Sequence, residues 1–281
     1  MPGQITPSLS AMTAALVFAG FLSQVDPAQA LEPSWPDLKA SLYDNRFVAL
    51  SDDVVKLEFP YRSSNDARTD INVRLDAPDS SLISRFSLIL DENPMPVSAV
   101  IDFAEPIDQF NFTATMRING QTPIHAVAEL DNGQLFMAEG YIKTSGLGAC
   151  SAPPGTDPVE ALKTLGQMAL HIGRVKDSSS LMSTARGETQ SDLELDVDIK
   201  HPSHSGMQMD QISLLYIPAR YVETLEINLN GAPFATMTGS ISLSENPSVS
   251  MSVPSSTRRI KARLTDTDGT VTEAEQSLAD Y

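Results

Sequence analysis

The sequence is short of cysteine, of basic residues and of long apolar runs. It holds one cysteine, one tryptophan and four histidines in 281 residues, and 19 basic side chains against 36 acidic ones. A single cysteine excludes an internal disulfide, and in an oxidising compartment an odd thiol is either reactive or paired with another molecule. The resulting net charge of −17 argues against nucleic acid, whose phosphates need a basic face, and equally against anionic membrane surfaces. Beyond the N-terminal segment, no stretch is apolar enough to be a transmembrane helix. Catalytic signatures are missing as well: the chain has no G-x-S-x-G, H-E-x-x-H, P-loop or G-x-G-x-x-G. The expectation is a chain with no cofactor that is not an autonomous enzyme.

What is present is apolar residues, at 41 %, enough for real cores, in a length that suggests two domains. A short helical pattern covers Trp35 to Tyr43, with Trp35, Leu38, Leu42 and Tyr43 on one face. The period then changes to two. Val55, Leu57 and Phe59 alternate with polar residues, as do Ile71, Val73 and Leu75, then Phe86, Leu88 and Leu90, then Ala99, Ile101 and Phe103. Phe110 to Ile118 and Ile124 to Leu130 continue the pattern, and Leu135 and Met137 begin a strand that runs toward Cys150. Asx, Gly and Pro turns separate these runs, which is the pattern of a β-sandwich.

After the cysteine, Asp157 is a good N-cap, Pro158 suits the first helical position and Glu160 can close a capping box. Val159, Leu162, Leu165, Met168 and Ile172 extend this into a helix that stops at Gly173, and the polar stretch Arg174 to Ser191 reads as a linker. A second set of strands follows from Asp192, with segments at 192–199, 214–217, 221–229, 241–244, 249–253 and 260–264, and Asn230-Gly231 is a hairpin signal. The basic face Arg259, Lys261, Arg263 and the acidic face Asp192 to Asp198 either pair across strands or are both solvated. Three short motifs recur in order: Leu57 to Ser63 with Ile199 to Ser205, Leu90 to Pro94 with Leu243 to Pro247, and Ala128 to Gly133 with Arg263 to Gly269. Two sandwiches of one topology would explain them.

The stretch Tyr141 to Gly155 carries the chemistry. Gly146 and Gly148 precede Cys150, and Pro153, Pro154 and Gly155 follow it. Glycine frees the backbone and proline stiffens what comes next, so the neighbours favour a displayed thiol. The other reading is a small hydrophobe in a core. A thiolate would be favoured by a cation or a helix N-terminus, for which Lys143 and the helix from Pro158 are candidates. A Cys150–His nucleophile pair would have to be made by the fold. Two imidazoles and two thioethers at His201, His204, Met207 and Met209 could hold a soft metal such as Cu(I), although a turn leaving a strand explains them equally. His125 and His171 stand apart, and the sequon Asn111-Phe-Thr113 falls inside a strand pattern.

Residues 1–30 have the form of an export signal: an apolar core from Ala14 to Leu22 and an Ala28-Gln29-Ala30 cleavage signature, without a preceding Lys or Arg. The expectation is a chain exported from the cytoplasm.

Taken in order, these motifs resemble the SoxYZ-like carriers of bacterial sulfur oxidation, and most of all a fused subgroup associated with quinoprotein dehydrogenases. Residues 31–156 are similar to SoxY through Pro60, Asn65-Asp66-Ala67, Glu92 to Pro96 and Lys143 to Cys150. Residues 157–191 would be helix and linker, and residues 192–281 are similar to SoxZ through His201-Pro202, Ser205-Gly206, Asp210, Ile217 to Ala219, Ile241 to Pro247 and Asp266 to Gly269. The resemblance implies an all-β chain of two immunoglobulin-like sandwiches. It also implies a periplasmic carrier that binds sulfur intermediates covalently on Cys150 and presents them to sulfur-oxidation or quinoprotein dehydrogenase enzymes, with Gly146 and Gly148 standing near the family's arm glycines. The glycines flanking the family's cysteine are broken here by Leu147, Ala149 and Ser151, and the cysteine is internal, so its arm is tied at both ends. Other readings are an accessory module of a PQQ dehydrogenase system without covalent cargo, and a copper-handling protein.

Overall fold

A computed structural model describes residues 34–44, 46–146, 148–174 and 193–278. The export signal expected over 1–30 lies outside the described residues, as does the linker expected over 174–191 apart from Arg174, which ends a strand. The described residues form fifteen strands and two short helices. The first half runs α1 (Trp35–Tyr43), β1 (Val48–Leu50), β2 (Val55–Glu58), β3 (Thr69–Asp76), β4 (Ile83–Leu90), β5 (Val97–Ile107), β6 (Gln109–Met116), β7 (Thr122–Leu130) and β8 (Leu135–Ile142). The second runs α2 (Pro158–Lys163), β9 (Met168–Arg174), β10 (Leu193–Ile199), β11 (Val222–Leu229), β12 (Ala232–Gly239), β13 (Ser248–Val253), β14 (Arg259–Asp266) and β15 (Val271–Ser277).

The strands form two layers. One sheet has the order β1-β8-β7-β4-β5-β12-β11-β14-β15, the other β2-β3-β6-β13-β10-β9. Each half therefore supplies both layers of a sandwich, and the halves meet edge to edge. β5 pairs with β12 in one layer and β6 with β13 in the other, both antiparallel. Read outward from that seam, β2 to β8 and β9 to β15 repeat the same order, so the chain contains one seven-stranded topology twice. The inward residues of both halves share a single core, from Phe86 and Phe112 on one side to Leu225 and Leu264 on the other. Alternation puts them there: β3 and β14 each bury every second residue.

Of the recurring motifs, only Ala128 to Gly133 and Arg263 to Gly269 lie on equivalent hairpins, β7–β8 and β14–β15. Antiparallel pairing at the seam turns one half end for end, so non-equivalent loops gather at one end of the sandwich. There the Glu-Asn-Pro turn of the β4–β5 loop meets the Glu-Asn-Pro turn of the β12–β13 loop. The two match in sequence without matching in topology.

Three expected elements differ. The helix from Pro158 ends at Lys163, because Gly166 adopts φ +75°. Met168 to Arg174 pairs with β10 as an edge strand. Segments 214–217 and 241–244 are loops. The basic and acidic faces do not pair with each other, since β14 and β10 lie in different sheets. Arg259 pairs with Glu275, Lys261 with Glu273 at 2.9 Å and Arg263 with Glu226 at 3.5 Å, all on neighbouring strands of the same layer.

Helix α1 is held by an aromatic clasp. Trp35 stacks on His125 with ring centroids 3.8 Å apart, and His125 Nδ1 is 2.9 Å from Asp91 Oδ1. Tyr43 packs with Val48, Ile89 and Val127, while Leu42 is exposed rather than facing the sheet. Trp35→Ala removes the ring that covers His125. It is expected to cost about 2 kcal/mol, less than the roughly 3–5 kcal/mol of a fully buried tryptophan because Trp35 is half-buried. Denaturant unfolding should show an earlier midpoint with little change in slope.

Candidate functional site

The segment from Lys143 to Asp157 leaves β8 and crosses the end of the sandwich where loops of both halves meet. Gly146 and Gly148 have φ of +80° and +70°, the left-handed region that glycine enters at no steric cost. A β-carbon on Gly148 would also stand 3.0 Å from Ser151 Oγ. These two turns fold the segment back on the protein instead of away from it. Cys150 is therefore buried, with 0 % of its surface exposed, which corrects the expectation of a displayed thiol.

The cover comes from both halves. Asn119 of the β6–β7 loop accepts the Cys150 N–H at 3.1 Å, and Ser205 of the β10–β11 loop donates its hydroxyl to the Cys150 carbonyl. Gln208 donates to the Ala152 carbonyl at 3.0 Å, Glu245 accepts the Gly155 N–H at 2.7 Å, and Asp66 accepts the backbone and hydroxyl of Ser145. Asn119 is itself positioned by Asn93, whose side chain bridges to the Arg117 carbonyl and to Ser242. The segment is thus pinned by polar contacts, and among its described residues only Ala149 and Cys150 are buried as apolar residues.

Arg117, 2 % exposed, is near enough to act electrostatically on the cysteine. Among the described residues it forms no ion pair. Its Nη1 donates to the carbonyls of Ser203 at 2.5 Å, Leu243 at 2.8 Å and Ile241 at 3.3 Å. Burial lowers its pKa, against which Cys150 and then Glu245 pull upward. The same burial pushes the Cys150 thiol from 9.0 to about 11, with Arg117 pulling it back. Desolvation outweighs the cation, so the docked cysteine is a neutral thiol at pH 7. Sequence reasoning misses Arg117 because strict alternation along β6 places it on the outer face. The β12–β13 turn, more than a hundred residues later, covers that position.

The other candidates fall elsewhere. Lys143 Nζ lies 4.9 Å over the Tyr61 ring, not on the thiol, and the N-terminus of α2 is closed by Asp157, which accepts from Val159 and Glu160. Among the described residues no histidine nitrogen is hydrogen-bonded to the Cys150 sulfur. His201 is buried with Nε2 3.4 Å from Asp266, and burial pushes its pKa down to about 4. His204 bonds Gln208 at 3.1 Å, Met207 is half-buried and Met209 is exposed. No group of three or more His, Cys, Asp or Glu among the described residues could hold a metal ion. No helix among them is long and apolar enough to cross a membrane.

Two family models match the chain. The model described as sulfur oxidation protein SoxY covers residues 39–150, and that described as sulphur oxidation protein SoxZ covers residues 182–277. Together they take in about three quarters of the sequence. The chain belongs to the fused SoxYZ-like family. The SoxY match ends on Cys150, and the SoxZ match supplies Ser205, Gln208 and Glu245, so the docked segment is held between the SoxY half and the SoxZ half. Among solved structures, the sulfur carrier protein SoxY from Chlorobium limicola f thiosulfatophilum matches at 19 % identity and a TM-score of 0.34, over 39 % of this chain and 90 % of that one. A superoxide reductase (neelaredoxin) from Ignicoccus hospitalis matches at 16 % identity and a TM-score of 0.28, over 35 % of this chain and 94 % of that one. No curated protein matches the chain.

Proposed function

We propose that this SoxYZ-like chain is a non-catalytic periplasmic carrier that holds sulfur intermediates covalently on Cys150. The observation that carries the reading is the position of the chain's one cysteine. It ends the SoxY match on a segment pinned by individual hydrogen bonds, at the seam between the two halves. Each such bond is worth about 1 kcal/mol net, and each residue released recovers roughly 1–2 kcal/mol of backbone entropy. The opposing terms are of similar size, so the arm can leave its dock without unfolding either sandwich.

In the undocked state the thiol regains an ordinary pKa, and its thiolate can enter a partner's active site. Loading joins the cysteine sulfur to that of a sulfur anion. The cysteine gives up its proton, an S–S bond forms, and two electrons pass to an oxidising partner enzyme. Docking afterwards returns the segment to its shelter. The acidic surface and the export signal expected over 1–30 fit a protein that meets such enzymes in the periplasm.

The test is the intact mass of the chain purified from its native host, with Cys150→Ser alongside. Wild type is expected to carry an adduct that thiol reductant removes, and Cys150→Ser to carry none. An unmodified cysteine under every condition that expresses sulfur-oxidising enzymes would count against the carrier.

A further inference from the structure

Beside the docked arm, the β10–β11 loop pushes a set of apolar side chains into water. Ile212 is 95 % exposed, Leu214 68 %, Leu215 69 % and Tyr216 68 %. These residues are presented by a built turn. Asp210 accepts the N–H of Ile212 and Ser213 at 3.1 and 2.7 Å, and the Ser213 hydroxyl at 2.8 Å. The backbones of Asp210 and Leu215 are bonded at 2.9 Å, and Met209 bridges to Tyr216. Leu214 sits at φ +58°, a strained conformation for a leucine. Strain of this kind persists where the surroundings fix it and concentrates at binding sites. Contiguous exposed apolar surface likewise marks interaction sites.

Between this turn and the arm lies a cleft of about 250 Å³, lined by Pro153 and Pro154 of the arm and by Met209, Ile212 and Ile217 of the turn. Its charged residues, Asp157 and Asp210, are both acidic. A second copy of this chain would bring the same two carboxylates and its own net charge of −17 to the contact, and like charges oppose that pairing. A protein with an apolar projection rimmed by lysine or arginine fits both the cleft and its sign. Gln208, which starts the turn, is also the residue that holds the Ala152 carbonyl of the arm.

We propose that the turn Met209–Ile217 is the docking surface for a basic-rimmed protein partner, the enzyme that loads or unloads Cys150. The proposal rests on the carrier reading for the identity of that enzyme. The contact itself stands on exposure and charge. A partner seated here lies against the arm's tail and close to the contact that pins it.

The experiment replaces Ile212 by the photo-cross-linking residue p-benzoylphenylalanine in the full chain in its native host, with the exposed Val271 of β15 as a control site. One discrete heavier conjugate is expected from position 212 and none from 271. The cross-linked protein, purified and titrated against the unsubstituted chain, should lose at least about ten-fold in affinity for Leu215→Asp. Its affinity should also fall between low and high salt, as a contact between opposite charges requires. No conjugate from position 212, a conjugate made only with another copy of this chain, or an affinity indifferent to Leu215→Asp or to salt would overturn the docking surface. These readouts do not involve the adduct. A partner that binds as described while Cys150 stays unmodified would refute the carrier and leave the surface standing.

Discussion

At pH 7, Cys150 in the folded chain is expected to react with iodoacetamide at least about 100-fold more slowly than in the chain unfolded by guanidinium. The thiolate is the reacting species. Burial shifts the docked thiol from 9.0 to about 11, a difference that alone removes about 99 % of the thiolate. The complete burial of Cys150 blocks approach besides. The pH dependence follows from the same shift. The docked pKa is raised, so docking keeps its full strength below pH 9 and weakens as pH rises from 9 toward 11. Across that window the docked state loses about 100-fold against the open one. Native and unfolded alkylation rates should therefore converge between pH 9 and 11. A native rate equal to the unfolded rate at pH 7 would mean that the thiol is not sheltered in solution.

The second large effect concerns Arg117. Its guanidinium is the hub that ties the end of β6 to Ser203, Ile241 and Leu243 of the other half. Arg117→Leu keeps much of the volume but leaves those carbonyls buried without donors, at roughly 1–3 kcal/mol each. A loss of about 3–5 kcal/mol is expected, lowering the unfolding midpoint by roughly 10 °C for a chain of this size. Arg117→Lys retains one charge and fewer geometrically fixed donors, and should recover about half of the loss. Calorimetry on the three proteins measures both. An Arg117→Leu variant as stable as wild type would show that the hub is not holding the halves together.

Most of the strands and helix α1 are legible in the sequence, because alternation and the shared helical face of Trp35, Leu38 and Tyr43 record which side is buried. Met168 to Ile172 misleads. Met168, Leu170 and Ile172 alternate as a strand should, but Leu165, Met168 and Ile172 also fall at helical steps after a good N-cap, and Gly166 decides between them only through its backbone angle. The duplicated topology is suggested partly by the two Glu-Asn-Pro turns, which turn out to be neighbours in space and not equivalents. The site is legible as far as Cys150 and its glycines. Small neighbours record backbone freedom, and they say nothing about cover brought from residues 205, 208 and 245. Nor does strict alternation reveal a buried arginine when the turn that buries it belongs to the other half.

The account depends on the arm leaving its dock while both sandwiches stay folded. The direct test is the rate of Cys150 alkylation at pH 8 over a range of guanidinium concentrations below the unfolding transition, set beside global stability. Local opening exposes little surface, so the rate is expected to be nearly independent of denaturant at low concentrations and well above that allowed by global unfolding. Gln208→Ala and Asn119→Ala should each raise it about five-fold, in keeping with the loss of one hydrogen bond of about 1 kcal/mol. A rate that follows global unfolding across the whole range, unchanged by either substitution, would contradict the account.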